Sequence, residues 1–352
     1  MMLKQTMNRR GRLGVALAWM VALAVVVMDA SAEPLRVRLG AAARGEMELL
    51  GVEAGSVRLR PVGSSTGEIV MPFADLRELL FVLPEPYQRA QQLAFNGRPG
   101  EAAIMLKPVV APLVPYLSVP DTNAVAAVNF YFDLLLGQQM WDEALALAKQ
   151  LPLDSPKTGF LPKVVSLARA LRATGRPIDA TTLVGRIPFT ETTSGWFPLM
   201  ADFADELRRN GSYVEARTIY ERLRPFDTGE AQVRRTLLIA YADYQTGGRS
   251  SAAAFLEMVP EPAADSDELP LYLLLQSRLA LDAGDATRAL DQIGRAMVLA
   301  GGASEWRAEL QAVAAMAYRA AGQFEIAETI EADMRQIFPD SRWTPAAAQP
   351  VS

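Results

Sequence analysis

The chain has 352 residues, of which 50% are hydrophobic and 21% charged, with 35 basic and 40 acidic side chains and neither histidine nor cysteine. This composition is that of an ordinary globular protein. The absence of histidine and cysteine excludes Ser-His-Asp and Cys-His catalytic sites, imidazole proton transfer, thiolate redox centres and the common zinc sites. We expect neither a metal nor a cofactor, and an enzyme of this sequence would depend mainly on carboxylates, Lys, Tyr, Ser or Thr.

The first 32 residues have the pattern of a secretory signal peptide. A leader with one lysine and three arginines precedes an apolar run from Leu13 to Met28, and the small residues Ala30, Ser31 and Ala32 follow. An uncleaved membrane anchor is the alternative, but a run of 16 residues is short for a bilayer-spanning helix, which needs about 20. We therefore expect cleavage after Ala32 and export, to the periplasm in a bacterium with two membranes. Without cysteine, the mature start has no residue for a lipid anchor.

Residues 33–83 follow a period of two, which is typical of strands with one buried face. Leu35, Val37 and Leu39 alternate with polar or small residues, and similar short stretches separated by glycine-containing turns recur up to Met71. The segment resembles the SH3-like and Sm-like β-barrels, and we predict a small β-barrel or β-meander module of four or five strands. We expect it to cap the first helical repeat, with a separate binding role as the alternative.

Residues 84–340 repeat one pattern at intervals of 36 to 42 residues. Each copy has a marker residue, an alanine five residues after it and, in six of seven copies, a small residue seven before it. Glycine tolerates the positive φ that ends a helix, and small residues let two helices approach closely. The pattern therefore predicts about seven helical hairpins. Their markers are Gly97, Gln139, Gly175, Gly211, Gly247, Gly284 and Gly322.

The last copy is the fullest, with aromatic residues four before and two after the marker, an alanine five after and a proline seventeen after. These residues are Tyr318, Phe324, Ala327 and Pro339, around Gly322. The pattern resembles the tetratricopeptide repeat (TPR) family, although the intervals exceed the family's repeat of about 34 residues. The resemblance implies a mainly α fold, a right-handed α-solenoid of about seven TPR-like hairpins whose first helices line a concave groove.

Counting helical turns back from each marker places the residues three and six before it on that concave face. Arginine binds carboxylates and stacks on aromatic rings, so the arginines and tyrosines at or beside these positions are the candidate partner-binding set. The set is Arg169, Arg172, Arg208, Arg209, Arg234, Tyr241, Tyr244 and Arg278. We expect these arginines to bind an acidic or extended segment of another exported protein. The alternative is that they are solvated or paired with carboxylates of adjacent helices.

The sequence thus predicts a non-catalytic, exported scaffold that binds a protein or peptide. One alternative is an exported enzyme that acts on envelope polysaccharide through carboxylates, and another is a structural subunit that assembles with itself. A concave pocket with a buried carboxyl of raised pKa would favour the enzyme, and apolar repeat ends would favour self-assembly. An open groove with exposed arginines and aromatics would favour the scaffold. The partner's identity and the oligomeric state are left open.

The remaining segments limit the partners further. The net charge of −5 disfavours nucleic acid as a partner. No apolar stretch after the leader is long enough to span a membrane. Residues 341–352 contain two prolines and are predicted to be disordered. Trp343 is the exception, and we expect it to cap the final repeat.

Overall fold

The computed structural model describes residues 34–40, 45–301 and 304–346, so the predicted signal peptide lies outside the described residues. In these ranges five strands are followed by fourteen α-helices. None of the described helices combines the length and the apolarity that a bilayer span requires.

The β module is a single antiparallel sheet, which confirms the prediction of a small β unit before the helices. Its strands are β1 (Leu35–Leu39), β2 (Met47–Glu53), β3 (Ser56–Pro61), β4 (Ile69–Pro72) and β5 (Leu79–Phe81). The order is β4-β3-β2-β1-β5, so the last strand returns to pair with the first. Alternate residues such as Val37, Val57 and Leu59 are fully buried, as the period of two predicts.

The module lies against the beginning of the helical region. The backbone N–H of Phe81 donates to the Asn123 side chain at 2.8 Å, and the Asn123 amide donates back to the Phe81 carbonyl at 3.0 Å. The Leu79 N–H donates to the Asp121 carbonyl at 3.3 Å. These bonds cover the outer edge of β5, and the ring of Phe81 packs 5.8 Å from that of Tyr116. This is the arrangement expected of a cap on the first repeats.

The helices form seven consecutive hairpins, which confirms the predicted solenoid. Repeats one to three are α1 (Glu85–Phe95) with α2 (Pro99–Val110), α3 (Ala124–Gly137) with α4 (Trp141–Ala148), and α5 (Phe160–Ala173) with α6 (Pro177–Gly185). Repeats four and five are α7 (Phe197–Arg209) with α8 (Tyr213–Leu223), and α9 (Gly229–Gln245) with α10 (Arg249–Glu257). Repeats six and seven are α11 (Leu269–Asp282) with α12 (Ala286–Leu299), and α13 (Arg307–Ala320) with α14 (Phe324–Ile337).

Each hairpin turns at its predicted marker. The seven markers have φ between +56° at Gln139 and +88° at Gly247, so even the non-glycine marker takes the left-handed conformation. The alanine five residues later and the residue seven residues earlier are at most 2% exposed in every repeat. Small side chains at these positions let the two helices of a hairpin pack closely, and the apolar core runs without interruption from Val37 in β1 to Ala314 in α13.

Candidate functional site

The predicted arginines of repeat three pair with the next repeat. Arg169 on α5 donates from Nε to Glu206 on α7 at 2.7 Å, and its guanidinium lies 5.5 Å from the centre of the Phe203 ring. Arg172 donates to the hydroxyl of Ser212 and lies 3.5 Å from a carboxylate oxygen of Glu215. Both arginines remain partly exposed, at 35% and 21%. This is the paired arrangement that the sequence left as the alternative to partner binding.

Arg209 and Arg234 are the most exposed members of the predicted set. Arg209, at the end of α7, is 59% exposed and its Nε lies 3.8 Å from Glu305. Arg234 on α9 is 44% exposed, and its guanidinium lies 3.2 Å from Glu268 and 3.6 Å from Asp205. Both guanidinium groups therefore have a carboxylate neighbour and still face solvent.

Arg208, by contrast, is buried at a contact between repeats four and seven. Its side chain is only 3% exposed and donates from Nη2 to Glu305 at 2.7 Å. Its guanidinium also lies 4.5 Å from the Trp306 ring and 6.0 Å from the Tyr241 ring. Glu305 and Trp306 stand immediately before α13 and are 97 and 98 positions further along the chain. The start of repeat seven is therefore folded onto the inner helices of repeats four and five.

A single buried carboxylate joins repeats five, six and seven. Glu309 on α13 is 2% exposed and accepts hydrogen bonds from the Tyr241 hydroxyl at 2.6 Å and from Arg278 Nη2 at 2.6 Å. The Gln245 amide donates to it at 3.1 Å. Burial raises the pKa of Tyr241, so its hydroxyl keeps the proton that it donates. We call Arg208, Tyr241, Arg278, Trp306 and Glu309 the closure cluster.

The C-terminal segment also lies on this surface. Arginines and aromatic rings alternate in the order Tyr213, Arg342, Trp343, Arg278, Tyr244, Arg249, which we call the stacking ladder. Successive guanidinium-to-ring distances along it are 5.2, 4.8, 5.1, 5.3 and 5.6 Å. Trp343 packs on Arg278 of repeat six, a contact that a cap on the final repeat does not predict. Of the tail 341–352 that was predicted to be disordered, residues 341–346 are described, and residues 347–352 lie outside the described residues.

The structure thus brings together four of the eight predicted residues, namely Arg208, Tyr241, Tyr244 and Arg278. Three of these four are buried and not exposed in an open groove, because the start of α13 fills the concave face there. The prediction missed Glu305, Trp306, Glu309, Arg342 and the role of Trp343. Tyr213, two residues after the marker of repeat four, was the one ladder residue that the aromatic position of the repeat could have indicated.

Glu268 is the carboxyl group that comes closest to what the enzyme alternative requires. Glu268, just before α11, is 12% exposed beside an open cleft of about 370 Å³ that also borders Glu230, Asp265 and Asp267. Burial raises the pKa of Glu268 although the neighbouring Arg234 opposes the shift. Glu268 forms a salt bridge with Arg234 at 3.2 Å, as a carboxylate with a structural role does. Within the described residues, no group of three or more Asp and Glu side chains is placed to hold a metal ion.

No family model matches the sequence, and no curated protein matches it. Solved structures with a similar arrangement of helices include PilW, described as a widely conserved type IV pilus biogenesis factor, at 13% identity and a TM-score of 0.32. That match covers 74% of this chain and 94% of the other. The C-terminal part of a TPR repeat-containing protein from Cytophaga hutchinsonii matches at 12% identity and a TM-score of 0.36, over 73% of this chain and 96% of the other.

A putative kinesin light chain with TPR-like repeats from Podosopora anserina matches at 17% identity and a TM-score of 0.27. The match covers 72% of this chain and 92% of the kinesin light chain structure. At these identities and TM-scores, the partners of the three proteins say nothing about the partners of this chain. The mainly α solenoid with an N-terminal β module is established by the strands and helices of this chain itself.

Proposed function

We propose that this protein is a non-catalytic, exported scaffold that holds a segment of another exported protein on its concave face. The observation that carries the proposal is that a short stretch of this chain, Ser341–Thr344, already lies there. It is held by side chains that belong to repeats four and six. This stretch is a turn, closed by the hydrogen bond from the Thr344 N–H to the Ser341 carbonyl at 3.0 Å. A lining that stacks on the side chains of such a turn is suited to a polypeptide ligand.

The contacts support a partner segment that stacks on the lining better than a purely acidic one. Arg169 already pairs with Glu206, Arg208 with Glu305, and Arg278 with Glu309. A partner carboxylate would have to displace these glutamates, and the exchange would leave a carboxylate without its partner. A stacking ligand needs no such exchange, and Arg209 and Arg234, which are 59% and 44% exposed, add charge attraction at its flanks.

The enzyme alternative has less support. Glu268 meets one part of the expected description, because burial raises its pKa, but it lies in a salt bridge with Arg234. Glu309, the more deeply buried carboxylate, accepts hydrogen bonds from three side chains. A general acid needs a proton to give to a substrate within hydrogen-bond reach, and Glu309 faces donors of its own chain.

Site-specific photo-cross-linking in the native host tests the scaffold proposal. A photoreactive amino acid at position 209 lies beside the contact of α7 with Glu305, and the same group at Val298, which is 85% exposed on α12, is the matched control. We expect a discrete cross-linked protein from position 209 alone, reduced at least about fivefold by Arg234→Glu. Equal cross-linking from both positions, or none from position 209, would overturn the proposal.

One observation favours self-assembly as a second candidate function. The last helix, α14, exposes Phe324 by 57%, Ile326 by 44% and Ile337 by 58%. Exposed apolar side chains at a repeat end are a common basis of association. Sedimentation velocity over a hundredfold concentration range should then show a mass increase that Ile326→Glu with Ile337→Glu abolishes. Ile178→Glu, at a residue of α6 that is 80% exposed, is the control. A constant monomer mass would reject this candidate.

A further inference from the structure

We propose that Arg342 and Trp343 form an internal ligand that occupies the partner's binding place. The inference deepens the proposed function, on which it rests, by naming the partner's chemistry. The partner segment presents a basic residue followed directly by an aromatic residue, as the turn of Ser341–Thr344 does. That pair replaces Arg342 and Trp343 on the concave face when the C-terminal segment leaves.

In the stacking ladder, Arg342 and Trp343 fill the gap between Tyr213 and Arg278. Tyr213 of α8 stands at one side of the gap, 5.2 Å from the Arg342 guanidinium. Arg278 of α11 stands at the other side, 5.1 Å from the Trp343 ring. A cation stacks on the tyrosine, and a ring stacks on the arginine, so the gap selects the order of the two side chains. The same two residues in a partner would make the same two contacts.

The internal ligand is held more weakly than the closure cluster. The Ser341 N–H donates to Phe338 and the Thr344 N–H donates to Ser341, so these hydrogen bonds stay within the segment itself. The Thr344 hydroxyl likewise donates to the carbonyl of Phe338 at 2.6 Å. Arg342 is exposed and Trp343 is half-buried, whereas Arg208 and Glu309 are almost fully buried. The segment can therefore leave while repeat seven stays in place.

The present occupant also leaves one buried donor unused. Arg278 is 7% exposed and, among the described residues, its Nε has no hydrogen-bond partner. The indole of Trp343 stacks on this guanidinium but has no acceptor atom, because its ring nitrogen is a donor only. A partner backbone carbonyl placed beside the ring would accept from Nε. A partner segment can therefore satisfy a group that the internal ligand does not, and this favours the exchange.

A labelled synthetic peptide of residues 338–346 is the probe for the vacated place. In the full chain the internal ligand competes at an effective concentration on the order of millimolar, so the peptide should bind poorly. We expect Trp343→Ala to tighten peptide binding at least about tenfold. A peptide carrying alanine in place of Trp343, and one carrying glutamate in place of Arg342, should each lose most of that binding. Phe324→Ala, at an exposed aromatic residue of α14, is the matched protein control and should bind like the unaltered chain.

The absence of cysteine allows a second, direct measurement. A nitroxide attached to Ala346→Cys labels one site, at an exposed residue beyond the ladder. Its electron paramagnetic resonance spectrum should show restricted motion in the otherwise unaltered chain, and faster motion after Trp343→Ala or with excess peptide. Equal mobility in all three samples, with circular dichroism showing a folded chain, would overturn the internal-ligand assignment.

The two proposals fail differently. If the peptide does not bind the folded Trp343→Ala chain, the internal ligand is rejected whatever the cross-linking at position 209 shows. If the peptide binds but Trp343→Ala does not increase cross-linking to the host protein at least about threefold, the partner's chemistry is rejected. If position 209 gives no cross-link in either chain while the peptide binds, the failure lies in the proposed function, and the place has no exported partner.

Discussion

From repeat one to repeat four, the polar contacts between inner helices join neighbouring repeats. From repeat four to repeat seven, a polar contact also joins two repeats that are three positions apart. Lys163 on α5 pairs with Asp133 on α3, and Arg169 pairs with Glu206 on α7, at separations of 30 and 37 residues. Arg208 pairs with Glu305 at a separation of 97 residues. The contacts of Lys163 and Arg169 are those of an ordinary solenoid, in which each repeat contacts only its neighbours.

The difference shows that a solenoid can gain a core outside its repeat-to-repeat interfaces. Trp306 and Tyr241 stack edge to face with ring centres 5.0 Å apart, and both are buried in the concave face. The arginines of the first half are partly exposed, and their ion pairs are of the kind that contributes about 0–1 kcal/mol. Arg208 and Arg278 of the second half are buried with fixed partners, so their loss should unfold or open part of the chain.

The largest expected effect comes from Glu309→Ala. The substitution leaves Arg278 buried without its carboxylate and leaves the Tyr241 hydroxyl without its acceptor. Breaking a buried ion pair on one side costs about 3–5 kcal/mol, and we expect a decrease of that size in the free energy of unfolding. Urea denaturation followed by circular dichroism measures it.

Glu206→Ala is the matched control for this prediction. It removes the partner of Arg169 in the open half, where the carboxylate is 41% exposed, and should change the free energy of unfolding by at most about 1 kcal/mol. Similar losses for the two variants would show that the closure cluster is no more important for stability than a surface ion pair.

The next effect concerns the closing contact itself. Arg208→Ala removes the ion pair with Glu305 and the stack on Trp306, and a desolvated cation–π contact alone is worth about 2 kcal/mol. Glu305 is 36% exposed and can be hydrated after the change. We therefore expect amide hydrogen exchange to speed up in α13 and α14 and to stay unchanged in α3 and α5. Uniform acceleration over the chain would mean that Arg208 supports global folding and not the closure.

The two halves also differ in how far they follow from sequence. The markers, the buried small residues and the seven hairpins could be predicted because each depends on spacing within about 40 residues. The contact of Arg208 with Glu305 depends on the rotation that accumulates over three repeats, and no single repeat encodes that rotation. Counting helical turns identified Tyr241 and Arg278 as inward-facing, but it could not show that Glu309 would cover them.

The C-terminal segment illustrates the same limit. Two prolines and small residues near the terminus are typical of disorder. For Trp343, the sequence predicts only a local cap on the final repeat. Its contact with Arg278 depends on where the end of α14 lies relative to α11, which is a property of the stacked repeats. The ladder therefore becomes visible only once the closure of repeat seven onto repeat four is known.

A smaller effect tests the marker positions, which both halves share. Gln139 has φ +56°, in the left-handed region that disfavours residues with a Cβ by about 1–2 kcal/mol. Gln139→Gly should therefore raise the free energy of unfolding by up to about 1 kcal/mol, after the greater entropy of glycine in the unfolded chain is subtracted. Gly175→Ala, at φ +79°, should lower it by about 1 kcal/mol. A shift of both urea midpoints in the same direction would contradict this account of the markers.

The smallest effect is the pH dependence contributed by Glu268, in the cleft between α9 and the loop that precedes α11. Burial raises its pKa above the ordinary value of 4.5, so the folded chain binds this proton more tightly than the unfolded chain does. The resulting stability is fully present below that value and is lost as pH rises through the folded-state pKa. The stability of the unaltered chain relative to Glu268→Gln should thus fall as pH rises above 4.5.

Arg234 provides the test of cause for this dependence, because its charge opposes the effect of burial on Glu268. Arg234→Ala removes that opposition, so the folded-state pKa should rise further and the loss of stability with pH should become larger and extend to higher pH. Urea midpoints of the unaltered chain, Glu268→Gln and Arg234→Ala, measured across the pH range, show how the stability of each depends on pH. A stability difference that grows with pH would mean that the carboxylate is stabilised by its ion pair more than it is penalised by burial, and Glu268 would then belong with the paired carboxylates of the open half.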